Sequence, residues 1–273
     1  QTMMRALYTA ASGMRAQQTN VDNISNNIAN VNTTAFKSQK TEFKSLLYQT
    51  IQTRTTSANG EEKPIGAQVG LGTRVASNTT SYTQGALLED ESKSAFAIEG
   101  NGFFQVRGAD GTTYYTRNGN FNWSIGPTGT TLTNTDGYPV LDSNGNTIVL
   151  PNNVNSGKAV VTTDGQVGYY NNAGAYVSMN RTIGLSQFNN PAGLEKAGSN
   201  LLRATNASGA ALNEATNANL TRSKIHQGYL EGSNVQVADE MVNLIVAQRA
   251  YQLNSKAITT SDDMLEQANN LKR

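Results

Sequence analysis

Both ends of this chain repeat apolar residues every seven positions, and the stretch between them does not. Leu7, Met14, Val21 and Ile28 form one row near the amino end; Val237, Leu244, Tyr251, Ile258 and Leu265 form another near the carboxyl end. Residues 3–32 contain no proline and one glycine, Gly13, and residues 236–271 contain neither. Two long amphipathic helices are therefore expected. Their companion rows turn polar, at Gln18 and Ser25 in the first and at Gln248, Ser255 and Asp262 in the second. A self-sufficient two-stranded zipper wants both rows apolar. The segment "MVNLIVAQRAY" (241–251) is apolar on every side of its helix, with Met241, Leu244 and Ile245 among its members. Burial from several directions is implied, so the missing contacts are expected from other copies of the chain.

The first helix carries a second pattern. Val21, Ile24, Ile28 and Val31 share one face, while Asn20, Asn23, Asn27 and Asn30 recur at the same spacing on a neighbouring face. Asparagine is a poor helix former because its amide competes for backbone groups. The expectation is that the amide row exchanges hydrogen bonds with adjacent copies and fixes their register; the alternative is that it faces water.

Between the ends the apolar period changes to two. The dipeptides Asn101-Gly102, Asp110-Gly111, Asn118-Gly119, Asp136-Gly137, Asn144-Gly145 and Asp164-Gly165 are hairpin signals, and runs such as "GFFQV" and "KAVVTT" read as short strands. A β domain over roughly 85–221 follows. The polar, Thr-rich stretch 48–70, interrupted by Pro64, is expected to be an extended connector without a fold of its own.

Composition narrows the function. With 21 Lys+Arg against 20 Asp+Glu there is no broad basic field, which argues against nucleic acid or an anionic membrane as a main partner. The chain has no cysteine, so disulfides and thiolate sites are excluded. No run approaches the roughly 18 apolar residues of a membrane span, and no secretory signal opens the chain, so any exit from the cytoplasm takes another route. Gln1 and Thr2 precede Met3 and Met4, where translation is expected to start. The single histidine, His226, has no catalytic constellation around it in sequence and is assigned a surface or packing role. Gly70 and Gly72 begin like a phosphate loop, but Val75 stands where a third glycine belongs, so a turn is expected. "DSNGN" (142–146) lacks the far acidic residue of a calcium loop. No pair of carboxylates is singled out as acid and base. The expectation is a non-enzyme with no cofactor and no metal.

Longer stretches carry a family resemblance. "SGMRAQQTNVDNISNNIANVNTTAFK" (12–37) and "QGYLEGSNVQVADEMVNLIVAQRAYQLNSKAI" (227–258) resemble the terminal signatures of the bacterial flagellar rod and hook proteins. "EGNGFFQV" (99–106) and "YTRNGNF" (115–121) resemble that family's central domain, and "EFKSLLYQTI" from Glu42 with "VGLGTR" from Val69 most resembles its distal rod members. The resemblance implies a fold of class α+β, with long N- and C-terminal helices forming a coiled-coil-like tube domain and a central all-β domain inserted between them. The expected boundaries are an N-terminal tube helix at 3–35, a connector at 36–84, the β domain at 85–221, a return connector at 222–236 and the C-terminal tube helix at 237–273.

It further implies a structural subunit of the flagellar basal body, exported unfolded by the flagellar type III apparatus without a cleaved signal. Such a subunit polymerises helically around a channel as a rigid shaft in the cell envelope. Its partners would be further copies, proximal rod proteins, the hook protein and the export apparatus, with the P and L rings where an outer membrane exists. The self-assembly rows would be Leu7, Met14, Val21, Ile24, Ile28, Val31, Val237, Met241, Leu244, Tyr251, Ile258 and Leu265. The connector, marked by Gln52, Glu61, Lys63, Pro64 and Gly70, would add rigidity. Two departures stand out: Ala35 where relatives commonly have Gly, which questions a left-handed turn there, and a longer loop at 124–131. The alternatives are a hook or proximal rod subunit, or a β-domain adhesin with helical oligomerisation ends.

Overall fold

The computed structural model describes residues 2–52, 67–126, 129–152, 154–171 and 173–271. They form two compact units, one of residues 1–29, 39–80 and 236–273, the other of residues 30–38 and 81–235.

The first unit pairs α1 (Thr2–Ala29) with α2 (Val237–Asn270). The helices run antiparallel, since Asn27 of α1 meets Glu240 at the start of α2 while Gly13 faces Asn254. Gly13 has a steric reason: a Cβ there would come within 2.9 Å of Asn254 Nδ2. Asp239 and Glu240 occupy the first turn of α2, where carboxylates complement the helix dipole. The first helix stops at Ala29, short of the expected 35. The following Asn-Thr-rich turn competes for the backbone, with Asn30 Oδ1 accepting from Thr33 Oγ1 at 3.1 Å.

The stretch expected as a connector contains four strands: β1 (Gln39–Ser45), β2 (Tyr48–Gln52), β3 (Ala67–Gly70) and β4 (Thr73–Thr80). They make one long antiparallel ribbon, with Gln39 opposite Thr80, Ser45 opposite Thr73 and Tyr48 opposite Gly70. Bonds from Leu46 N to Gly72 O (2.9 Å) and from Leu71 N to Leu47 O (3.1 Å) carry the pairing between the two halves. Bulges interrupt the register at Glu42/Phe43 and between Thr50 and Gln52. Alternating exposure in β1, with Gln39 and Thr41 half-covered and Lys40 and Glu42 exposed, gives the ribbon an inner and an outer face. Gly72, at φ 116°, lies against α1: a Cβ there would collide with the Ser12 side chain.

The second unit is β-rich and its strand pairings are antiparallel. A six-stranded sheet runs in the order Glu195–Gly198, Leu201–Arg203, Thr113–Thr116, Phe103–Arg107, Leu185–Gln187, Leu212–Asn213. Smaller sheets gather around a core that includes Phe96, Ile98, Phe104, Phe121, Leu132, Val140 and Ile225. Asp110-Gly111, Asp136-Gly137, Asn144-Gly145 and Asp164-Gly165 all place glycine at positive φ, as the turn signals predicted. Asn118-Gly119 does something else: Gly119 O accepts from Phe96 N at 2.9 Å, and a Cβ on Gly119 would run into the Phe96 backbone. The β region also extends past 221. Lys224–Gln227 pairs with Phe96–Glu99, and Tyr229–Glu231 pairs with Leu87–Glu89, so much of the expected return connector is sheet.

Ala35 adopts the left-handed turn that its missing glycine had questioned, at φ 57°, and its N–H donates to Glu231 O at 2.7 Å. A Cβ in this region is strained. Replacing Ala35 by Gly is therefore expected to raise stability by about 0.5–1 kcal/mol, read as a higher urea midpoint; an unchanged or lower midpoint would show that the buried methyl outweighs the strain.

Candidate assembly surfaces and a buried ion cluster

Within the helical unit, the seam of α2 against α1 is not centred on the heptad row. The fully covered residues of α2 are Glu240 and Ala247, seven apart, with Asn254 and Ser261 continuing that row half-covered. Leu244 and Ile258 flank it, half-buried, while Val237, Tyr251 and Leu265 are more exposed. On α1, Ala10, Gly13, Ala16, Asn23, Ile24 and Asn27 are buried, and Leu7, Met14, Val21 and Ile28 are half-buried. Small and amide side chains thus make the close contact. The apolar row sits at its shoulders.

Two members of the amide row are committed inside the chain, which corrects the expectation that they reach a neighbouring copy. Asn27 is fully buried. Its Oδ1 accepts from Gln39 N at 3.0 Å, and its Nδ2 donates to Gln39 O at 2.8 Å and to Glu240 Oε1 at 3.2 Å. Asn23 Nδ2 donates to Thr41 Oγ1 at 2.9 Å. Both amides serve β1, which sequence reasoning had not recognised as a strand. Asn20 is half-buried on the same helix, and Asn30, beyond its end, closes the turn described above. Val31, also past the helix end, is half-buried in the second unit.

What remains open is the outer surface of α2. Met241, Val242, Ile245, Val246 and Leu253 are between 54% and 68% exposed, with Met241 the least and Leu253 the most. Five large apolar side chains along about three turns exceed the scattered exposure of an ordinary surface helix. Of the connector residues, Glu61, Lys63 and Pro64 lie outside the described residues. Gln52 closes β2, and Gly70 closes β3 opposite Tyr48.

The second unit contains a site that the sequence gave no spacing to find. Glu231, whose side chain has no exposed surface, receives Lys37 Nζ at 2.6 Å and Arg117 Nε at 2.9 Å. Gly85 N also donates to Glu231 Oε1, at 3.0 Å. Arg117 Nη2 also donates to Glu231 Oε1 at 3.2 Å, its Nη1 donates to Gly100 O (2.7 Å) and Gly102 O (2.6 Å), and Lys37 donates to Thr83 O at 2.8 Å. Burial pushes the Glu231 carboxyl up, but Arg117 and then Lys37 outweigh it and hold it below the usual carboxylate range. Burial also draws the Lys37 ammonium below its usual range, against the opposing pull of Glu231. Each of the three charges follows directly on Phe36, Thr116 or Leu230, and a lone charge beside buried residues was the available signal.

The polar groups that the sequence brought forward as candidate sites have structural partners. His226 Nε2 lies 2.8 Å from Glu99 Oε2 at the surface. Asp142 Oδ1 accepts from Asn144 N (2.9 Å) and Asn146 N (2.8 Å), while Oδ2 meets Arg181, so "DSNGN" is a turn closed by its own aspartate. Among the described residues there is no cluster of His, Cys, Asp and Glu that could hold a metal ion, and no helix long and apolar enough to cross a membrane.

A depressed carboxyl contributes stability above its unfolded pKa and loses it as pH falls through the folded value. The Glu231 contribution should therefore fade below the ordinary glutamate value of 4.5. Removing the carboxylate leaves two cations buried with no counter-charge, at a cost of about 3–5 kcal/mol. Glu231→Gln is expected to be destabilised by that amount at neutral pH and to show a flatter acid limb in urea melts across pH 2–7; equal pH dependence in both chains would reject this assignment.

Comparison with known proteins identifies the family. Three family models match in chain order: Flagella basal body rod protein over residues 7–37, the Flagellar hook protein FlgE/F/G D1 domain over 97–169, and Flagellar basal body rod FlgEFG protein C-terminal over 226–271. The flagellar basal-body rod protein FlgG of Borreliella burgdorferi is 43% identical over 272 residues, covering 99% of this chain and 100% of the relative. The FlgG of Bacillus subtilis is 40% identical over 271 residues, with 99% and 100% covered. The flagellar hook-basal body complex protein FlhP of the same organism is 31% identical over 282 residues, with 99% and 100% covered. With identity at this level along its whole length, the chain belongs to the flagellar rod and hook protein family, together with the basal-body rod proteins FlgG.

Proposed function

We propose that this chain, a structural subunit of the flagellar basal-body rod and not an enzyme, polymerises helically into the distal rod, the stiff shaft that carries motor torque to the hook. The observation that carries this reading is the outer face of α2, where Met241, Val242, Ile245, Val246 and Leu253 stand exposed on a helix whose inner face is already occupied. Helices from several copies, laid side by side, would cover those residues and line a channel. The subunit would travel unfolded through the flagellar export apparatus without a cleaved signal and assemble in the cell envelope. It would meet proximal rod proteins below and the hook protein above, and the P and L rings where these exist.

The exposed positions separate assembly from folding better than the heptad row does. A charge at Ile245 or Val246 would have to be desolvated in each interface, costing several kcal/mol per subunit, while leaving the α1 seam untouched. Leu244, half-buried, would damage both. Electron microscopy of the concentrated protein should show open-ended filaments for the native chain and none for Ile245→Asp or Val246→Asp, with the β unit still folded by circular dichroism. Discrete small oligomers of the native chain would favour the adhesin alternative instead.

The ribbon has a separate role in this reading. Residues 39–52 in strand form extend on the order of 45 Å, long enough to lie across a neighbouring subunit and resist the sliding that lets a tube bend. Replacing residues 46–72 by a two-residue Asn-Gly turn, which joins Ser45 to its partner Thr73 and removes the far half of the ribbon, is expected to permit assembly but give curved or more flexible rods, measured as a shorter persistence length. Equally straight rods would place stiffness in the helices alone.

A further inference from the structure

The ion cluster draws one residue from each part of the second unit: Lys37 from its first segment, Arg117 from its middle and Glu231 from near its end. The last segment does much else. Ile225 enters the main core, and its N–H donates to Thr163 O at 2.9 Å. The Gln227 side chain accepts from Val161 N at 2.9 Å and donates to Lys93 O at 2.6 Å. Gly228 N bonds Ala95 O, and Gly232 N bonds Ala86 O. Asn234 receives Ser38 N on Oδ1 at 2.7 Å and donates to Ser81 O at 2.9 Å. Strands Leu87–Glu89 and Phe96–Glu99 have their described sheet partners in residues 224–231.

We propose that the Lys37–Glu231–Arg117 cluster is a completeness latch: the β unit closes only when the whole span from Ala35 to Glu231 is free on the same side of a barrier. Without Glu231 the core strands would have to bury Lys37 and Arg117, both almost fully shielded from solvent in the closed unit, as two unopposed cations. Without Lys37 and Arg117, the carboxylate would be buried bare. Each end of the span therefore penalises closure until the other arrives, whichever end emerges first. Lys37 and Glu231 are 194 positions apart, so no partial chain can satisfy the cluster locally.

The consequence rests on the reading that the chain travels unfolded through a channel: a subunit part-way through would be held open by its own unmatched charges and would close on release. The latch itself is a property of the free monomer and is tested there. Amide hydrogen exchange is measured on dilute, unassembled protein, so filament formation has no bearing on the outcome. Leu132 N, bonded to Ile148 O, and Val140 N, bonded to Leu132 O, report the core; Ala35 N, bonded to Glu231 O, reports the latch. In Glu231→Gln all three amides should exchange faster by one common factor, roughly 150- to 5000-fold. If that variant does not fold, Lys37→Met, which leaves Glu231 paired with Arg117, should show the same common factor at smaller size. Acceleration confined to residues 30–38 and 229–235, with Leu132 and Val140 unchanged in either variant, would overturn the proposal, because the core would then close without the latch.

Discussion

A carboxylate with no exposed surface has to be answered by charge, and in this chain the answer comes from both directions along the sequence. Glu231 is met by Lys37 and Arg117; the two cations also donate to the carbonyls of Thr83, Gly100 and Gly102, and the carboxylate accepts from Gly85 N. Those backbone groups border the first strands of the β unit. Well-packed apolar residues could fill the same volume at no loss of stability. What the ions add is specificity, since only one arrangement of three distant segments satisfies them all.

Asn27 does the corresponding work in the helical unit with neutral groups. One amide holds both the N–H and the C=O of Gln39 and adds a bond to Glu240, so α1, β1 and α2 share a single anchor. A buried amide left half-satisfied costs about 1–3 kcal/mol, and an aliphatic residue there would strand the Gln39 backbone. At Asn23 and Asn27 the amide row builds the subunit, joining α1 to β1 and to the start of α2.

The parts of the fold that were legible in the sequence are those set by local periodicity. The two helices follow from rows such as Leu7–Met14–Val21–Ile28, and the aspartate-glycine turns follow from the need for positive φ. The ribbon was not legible because its strands are Thr-, Ser- and Gln-rich. Only one face of β1 alternates, and it does so against α1, which no local window contains. The return segment was missed for a related reason: Ile225 and Leu230 are too few to announce strands, and their partners lie more than a hundred residues earlier. The ion cluster combines charges at 37, 117 and 231, a spacing that carries no motif. The heptad row marks only the shoulders of the α1–α2 seam, because the seam itself is made largely of small and polar residues such as Gly13, Ala16, Asn27, Glu240 and Ala247.

The two bulges in the ribbon carry a mechanical consequence. A flat two-stranded strip bends easily about one axis, perpendicular to its strands and lying in its plane. Each bulge adds local right-handed twist, so that soft axis turns along the length from Glu42/Phe43 to Thr50/Gln52. A load that finds one stretch compliant meets the next edge-on, and the strip has no single direction in which all of it gives way.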